Sequence, residues 1–119
     1  MSKKIWTVVI SLGMILAMSI TSMAAYTQHG YNSGTKTETV YVYAGNSYSY
    51  SCTAKATVVN SSNSVLGYHD AGTKVISGAG YHKAEYKCVS SAAHHGIYDA
   101  SAQNTSVPGD HFTAHGSDY

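Results

Sequence analysis

From Tyr48 to Val58 apolar and polar positions alternate without a break. Tyr48, Tyr50, Cys52, Ala54, Ala56 and Val58 fall on one side, and Ser49, Ser51, Thr53, Lys55 and Thr57 on the other. A two-residue period predicts a strand with one buried and one wet face. A similar run, Lys36 to Tyr43, precedes it, and Gly45-Asn46 lies between the two. Gly-Asn between alternating runs predicts a two-residue hairpin, glycine supplying the positive φ. In that register Tyr43 faces Tyr48, Tyr41 faces Tyr50 and Thr39 faces Cys52. Val40 and Val42 then lie on the opposite face, against Ser51 and Ser49, with room for the N-terminal arm to cover them.

Further along, Ser64 to Tyr68 and Thr73 to Ser77 read as short strands separated by a turn at His69-Asp70-Ala71-Gly72. Tyr81 to Ser90 is another strand, with Ala84, Tyr86 and Cys88 on one face and Lys83, Glu85 and Lys87 on the other. Ser91 to Asn104 fits either a helical turn or an irregular loop. Thr105 to Val107 and His111 to His115 flank a Pro108-Gly109-Asp110 turn as terminal strands. Ala25 to Thr35 reads as a loose arm. Several short, evenly spaced strands predict an all-β fold, a small antiparallel β-sandwich.

The first residues have a different character. Lys3 and Lys4 precede an apolar run from Ile5 to Ile20, and Ser22-Met23-Ala24 offers a small-residue cleavage site before Ala25. This is the layout of a signal peptide, residues 1–24, followed by a single secreted domain, residues 25–119. The apolar run is short for a bilayer span, so the expected product is extracellular, without a stable membrane anchor after cleavage. In an oxidising exterior, Cys52 and Cys88, the only cysteines, are expected to pair. Such a bond closes a loop worth about 4 kcal/mol in the chain-entropy account.

Charge excludes one class of partner. After Ala25 there is no arginine, and five lysines face six acids. A nucleic-acid binder needs a basic stripe, and none is present.

Candidate chemistry is sparse. All seven histidines follow the leader. His111 and His115 have the i, i+4 spacing of helical zinc sites, but on a strand their rings sit about 13 Å apart, too far for one ion. His94 and His95, the other metal candidates, are expected to diverge on a strand. No serine sits in a Gly-x-Ser-x-Gly elbow. The only glutamates, Glu38 and Glu85, read as exposed on outward strand faces. No catalytic residue or cofactor is implied, and the chain reads as non-enzymatic. Tyrosine is abundant, eleven in all. Tyr41, Tyr43, Tyr48, Tyr50 and Tyr86 read as core or half-buried. Tyr26, Tyr31, Tyr68, Tyr81, Tyr98 and Tyr119, in or near loops, have the composition of an adaptable recognition surface for hydroxyl- and amide-rich targets.

Three patches carry a family likeness: Gln28-His29-Gly30-Tyr31, Ala56-Thr57-Val58-Val59-Asn60, and Ala79-Gly80-Tyr81-His82-Lys83-Ala84. In these the chain resembles the lactococcin-type secreted bacteriocins, which fold as small β-sandwiches. Against the likeness, this chain has no tryptophan after the leader and carries a cysteine pair. The resemblance implies an antimicrobial protein that binds the cell-wall precursor lipid II. The expected partner is thus an extracellular or cell-envelope target, lipid II or another glycan. The alternatives are a structural or adhesive extracellular protein without toxic action, and a histidine-based metal-binding secreted protein.

Overall fold

The computed structural model describes residues 25–78 and 80–119. The expected signal peptide lies outside them. The described residues form seven strands: β1 (Ala25–Asn32), β2 (Thr37–Ala44), β3 (Ser49–Val59), β4 (Val65–Ser77), β5 (Tyr81–Lys87), β6 (His95–Asn104) and β7 (His111–Asp118). They make two antiparallel sheets, β1-β2-β5 and β4-β3-β6-β7, packed face to face. The all-β, two-sheet expectation holds.

The alternation in β3 holds from Tyr50 to Ala56; beyond it Thr57, expected on the wet face, is buried, as is Val59. Tyr50, Cys52, Ala54, Ala56 and Val58 are buried, while Tyr48 is half exposed and outside the core. Their inward faces meet Val40 and Val42 of β2, Ala84 of β5, Ile76 of β4, and Ala100 and Ala102 of β6.

The expected hairpin does not form. β2 pairs with β1 and β5, whereas β3 pairs with β4 and β6. The reason is parity. A hairpin pairing Tyr41 with Tyr50 would put Val40 and Val42 on the face opposite Cys52 and Ala54, leaving one apolar set unburied. Sending β2 and β3 into different sheets turns both sets into one core. The Gly45–Tyr48 link is therefore an inter-sheet crossing, set by the Asn46 side chain, whose Oδ1 accepts from Tyr48 N at 2.9 Å.

Four other segments depart from the sequence reading, among them Thr105–Val107, expected as a strand, which belongs to the link between β6 and β7. The N-terminal arm is strand β1 and pairs along β2 instead of covering its valines. The expected turn at His69–Gly72 is a bulge inside one continuous strand: Thr53 pairs with Thr73 and Lys55 with Asp70, so Ala71 and Gly72 together oppose Ala54. Gly72 has φ of 71° and its N–H donates to Asp70 Oδ1, turn chemistry accommodated as an extra residue in a ladder. Finally, Ser91–Asn104 contains β6, an interior strand of the larger sheet.

The expected disulfide is also corrected. Both cysteines are free and buried. Cys52 sits beside Ala102 near the start of β3. Cys88 follows Tyr86, whose ring lies against Gly67, and Gly67 pairs with Val58. Val58 is six residues, about 20 Å, along β3 from Cys52, far beyond the reach of a disulfide. Burial pushes the Cys52 thiol up to about 11, so it stays protonated and packs as a small apolar group.

At the Cys52 end, the largest core side chain carries a polar tip. The Tyr50 hydroxyl donates to Asp110 Oδ2 at 2.5 Å, and Asn104 Nδ2 donates to the same oxygen at 3.0 Å. Asn104 Oδ1 in turn accepts from the N–H groups of Ser106 and Val107. This network ties the Pro108-Gly109 turn to the core.

Two outcomes follow. Tyr50→Phe strands the Asp110 and Asn104 groups and is expected to cost about 1–2 kcal/mol, read as a lower thermal midpoint. Thiol titration is expected to find two free thiols in denaturant and neither reactive in the folded protein, and a reductant is expected to leave the midpoint unchanged.

Candidate functional site

The outer face of the three-stranded sheet is built of tyrosine. Even residues of β2 point inward, so odd ones point out. The register then sets Tyr26, Tyr43 and Tyr81 side by side across β1, β2 and β5. The next rank is Gln28, Tyr41 and Lys83, and the one after it Gly30, Thr39 and Glu85. Ring centroids lie 5.2 Å apart for Tyr26–Tyr43 and 5.5 Å for Tyr41–Tyr43, with nearly parallel planes; Tyr41–Tyr81 is 5.6 Å. Lys83 Nζ lies 5.4 Å from the Tyr41 ring centroid and 2.7 Å from Glu85 Oε1. Burial by its neighbours, then the adjacent phenols of Tyr41, Tyr26 and Tyr81, raise the Tyr43 pKa, so the hydroxyl is protonated and available as donor and acceptor. The face thus combines aromatic surface with hydroxyl, amide, ammonium and carboxylate groups.

Of the tyrosines read as core or half-buried, Tyr50 is fully buried. Tyr41, Tyr43 and Tyr86 are half-buried, and Tyr48 is exposed. Tyr26, read as part of a loose arm, and Tyr81, read at the start of a strand, are both strand residues of the platform.

The second cluster closes the seam between the two sheets. Glu38, expected on the surface, is fully buried. It shares inward parity with Val40 and Val42 and lies over Gly96, where any side chain would collide with its carboxyl. Neither carboxyl oxygen has a hydrogen-bond partner. Burial first, then interaction with the neighbouring Asp118 carboxylate, push its pKa up to about 12. Glu38 is therefore a neutral acid in the folded protein. Beside it, His29 Nδ1 meets both Asp118 oxygens, at 2.8 and 2.9 Å, and the His29 ring stacks on Tyr98 at 3.5 Å. Tyr98 covers Gly116, its partner across β6 and β7. Burial, then the acids Asp118 and Glu38, raise the Tyr98 pKa. The cluster joins β1 to β6 and β7. It acts as a latch between the two sheets.

The metal candidates separate. His111 and His115 lie exposed on one face of β7, opposite Gln103 and Asp99, and His115 Nδ1 is 2.5 Å from Asp99 Oδ1. His94 and His95 do not diverge as expected: His94 precedes the strand, and their Nδ1 atoms meet at 2.9 Å. His95 is buried and stacked on Tyr119 at 4.4 Å. Its burial, and then His94, lower its pKa, favouring the neutral ring. Among the described residues no three His, Cys, Asp or Glu side chains converge on a metal position. The open depressions on the surface include one of about 450 Å³ beside Lys74 and Tyr81 and one of about 350 Å³ between Thr53, Lys55 and Asp99.

The Glu38 latch gives a pH signature. Its folded pKa lies far above the unfolded value near 4.5, so the folded state holds a proton that the unfolded chain releases once pH exceeds 4.5. Stability from this group therefore falls as pH rises. By pH 7 the loss reaches about 3 kcal/mol. Glu38→Gln, which keeps the shape without the proton, is expected to gain thermal stability over the parent at pH 8 and little at pH 4, in paired melting curves.

Compared with protein-family models, characterised proteins and solved structures, the chain matches none.

Proposed function

We propose that this chain is a released, non-enzymatic binding protein that recognises bacterial cell-envelope glycan through the tyrosine face of its three-stranded sheet. One observation carries the reading. Tyr26, Tyr41, Tyr43 and Tyr81 are packed into a single outward platform while the core is mainly alanine and valine. Tyrosine supplies large contact area at low conformational cost and a polar tip. A rigid sheet holds these rings in place before any ligand arrives, which lowers the cost of binding. Sugars present apolar ring faces edged with hydroxyls and amides. Aromatic rings suit the first, and Gln28, Lys83 and Thr39 suit the second. A near-neutral charge after the leader fits a ligand recognised by stacking and hydrogen bonds instead of by bulk charge. The bacteriocin reading is the toxic form of the same proposal, with lipid II as the glycan-bearing target. The adhesive reading is its non-toxic form.

Co-sedimentation with purified peptidoglycan and titration of lipid II in detergent micelles are expected to give saturable binding. The Tyr43→Ala, Tyr81→Ala double variant is expected to lose at least tenfold in affinity while retaining the parent's strand circular dichroism. Binding unchanged in that variant, or absent from both ligands at micromolar protein, overturns the proposal. Growth arrest of Gram-positive cells by the parent separates toxic from adhesive action.

A further inference from the structure

The outer face of the four-stranded sheet carries an ordered charge rank. The register sets Asp70 beside Lys55, Lys55 beside Asp99, and Asp99 beside His115. Read across β4, β3, β6 and β7, the rank is acid, base, acid, base. The next rank toward the Cys52 end is all hydroxyl, with Thr53 Oγ1 and Ser101 Oγ at 2.5 Å in its centre. Although flanked by two carboxylates, Lys55 makes no ion pair among the described residues; its Nζ lies 4.7 Å over the Tyr68 ring. Asp99 uses one oxygen on His115.

From this we infer that the face is a self-complementary docking surface for a second copy of the chain. A two-fold axis lying along the strands, between β3 and β6, reverses the rank without shifting it along the strand direction. Lys55 then meets the second copy's Asp99, and Asp70 meets its His115, each contact occurring twice. The hydroxyl rank falls on its own reverse. This is the isologous geometry expected of a homodimer. An odd number of strands or an unalternating rank would not be self-complementary. Four strands about 4.8 Å apart and about eight residues long give a face of about 500 Å². Two such faces bury about 1,000 Å², the low end for a specific interface, so the dimer is reversible. It puts the two three-stranded sheets on opposite outer surfaces. On the glycan-binding proposal above, the dimer is bivalent, with its two sites facing apart, so it bridges two separate glycan strands; the pairing itself does not depend on that proposal.

Charge exchange tests it. The full chain, processed as its host processes it, is followed by sedimentation equilibrium over a concentration series in low salt. The parent is expected to show a monomer–dimer equilibrium weakened by 0.5 M salt. Lys55→Glu opposes acid to acid, and Asp99→Lys opposes base to base, so each variant alone is expected to dissociate at least tenfold more readily. An equimolar mixture of the two restores both contacts and is expected to form a heterodimer. Melting curves verify that each variant is folded, and either variant alone still tests the face should the other fail to fold. A parent that stays monomeric at all concentrations overturns the inference, as does a dimer that Lys55→Glu and Asp99→Lys leave unchanged. Loss of glycan binding with an intact dimer bears only on the function proposed earlier.

Discussion

The fold depends on how closely two sheets can approach over a core of small side chains. Between them lie mainly alanine and valine, with Tyr50 the largest fully buried side chain. Two larger inward groups, Tyr86 and Glu38, need hollows in the facing sheet, and glycine provides them. Tyr86 and Glu38 are cross-strand partners in one sheet. Gly67 and Gly96 flank Val58 in the other, and these two glycines receive them. A Cβ at either position would collide with the side chain above. Close packing of this kind lets a thin core hold together without a covalent staple.

The same closeness explains why Glu38 is neutral. Water is excluded from the hollow over Gly96, and the nearby Asp118 carboxylate further disfavours a second negative charge. A charged carboxylate there would cost more than the proton it retains. The His29–Asp118 contact and the His29–Tyr98 stack then close the open side of the seam. At the other end, the Tyr50–Asp110–Asn104 network anchors the β6–β7 turn. One polar cluster at each end thus holds an apolar middle in register.

With both inner faces committed to this core, the outer faces are free to differ. One is aromatic, because Tyr41 and Tyr43 of β2 point outward beside Tyr26 of β1 and Tyr81 of β5. The other is mostly polar and crossed by a charge-alternating rank, because β3, β6 and the edge strands place serine, threonine, lysine, aspartate and histidine outward beside the exposed Tyr68 and Val75 of β4. A sandwich with two unlike outer faces suits a protein that binds a ligand on one side and associates on the other.

Local pattern placed β2, β3, β5 and β7 and much of their facing, but read β1 as an arm, split β4 at its bulge and left β6 undecided. Alternation in β3 identified its buried side from Tyr50 to Val58, and evenly spaced strands identified an all-β sandwich. The burial of Glu38 was also legible, since it shares parity with Val40 and Val42; its charge hid the signal. Strand β6 was obscured by small residues, Gly96, Ala100 and Ala102, whose burial comes from the facing sheet and not from their own propensity. Which sheet each strand joins was decided only in three dimensions. Gly45-Asn46 suits a hairpin and a crossing alike, and the choice between them rests on bringing two apolar faces into one core. The cysteine separation and the two outward ranks have the same origin. Alternation fixes the face of a residue within its strand, but only the pairing of distant strands fixes its neighbours.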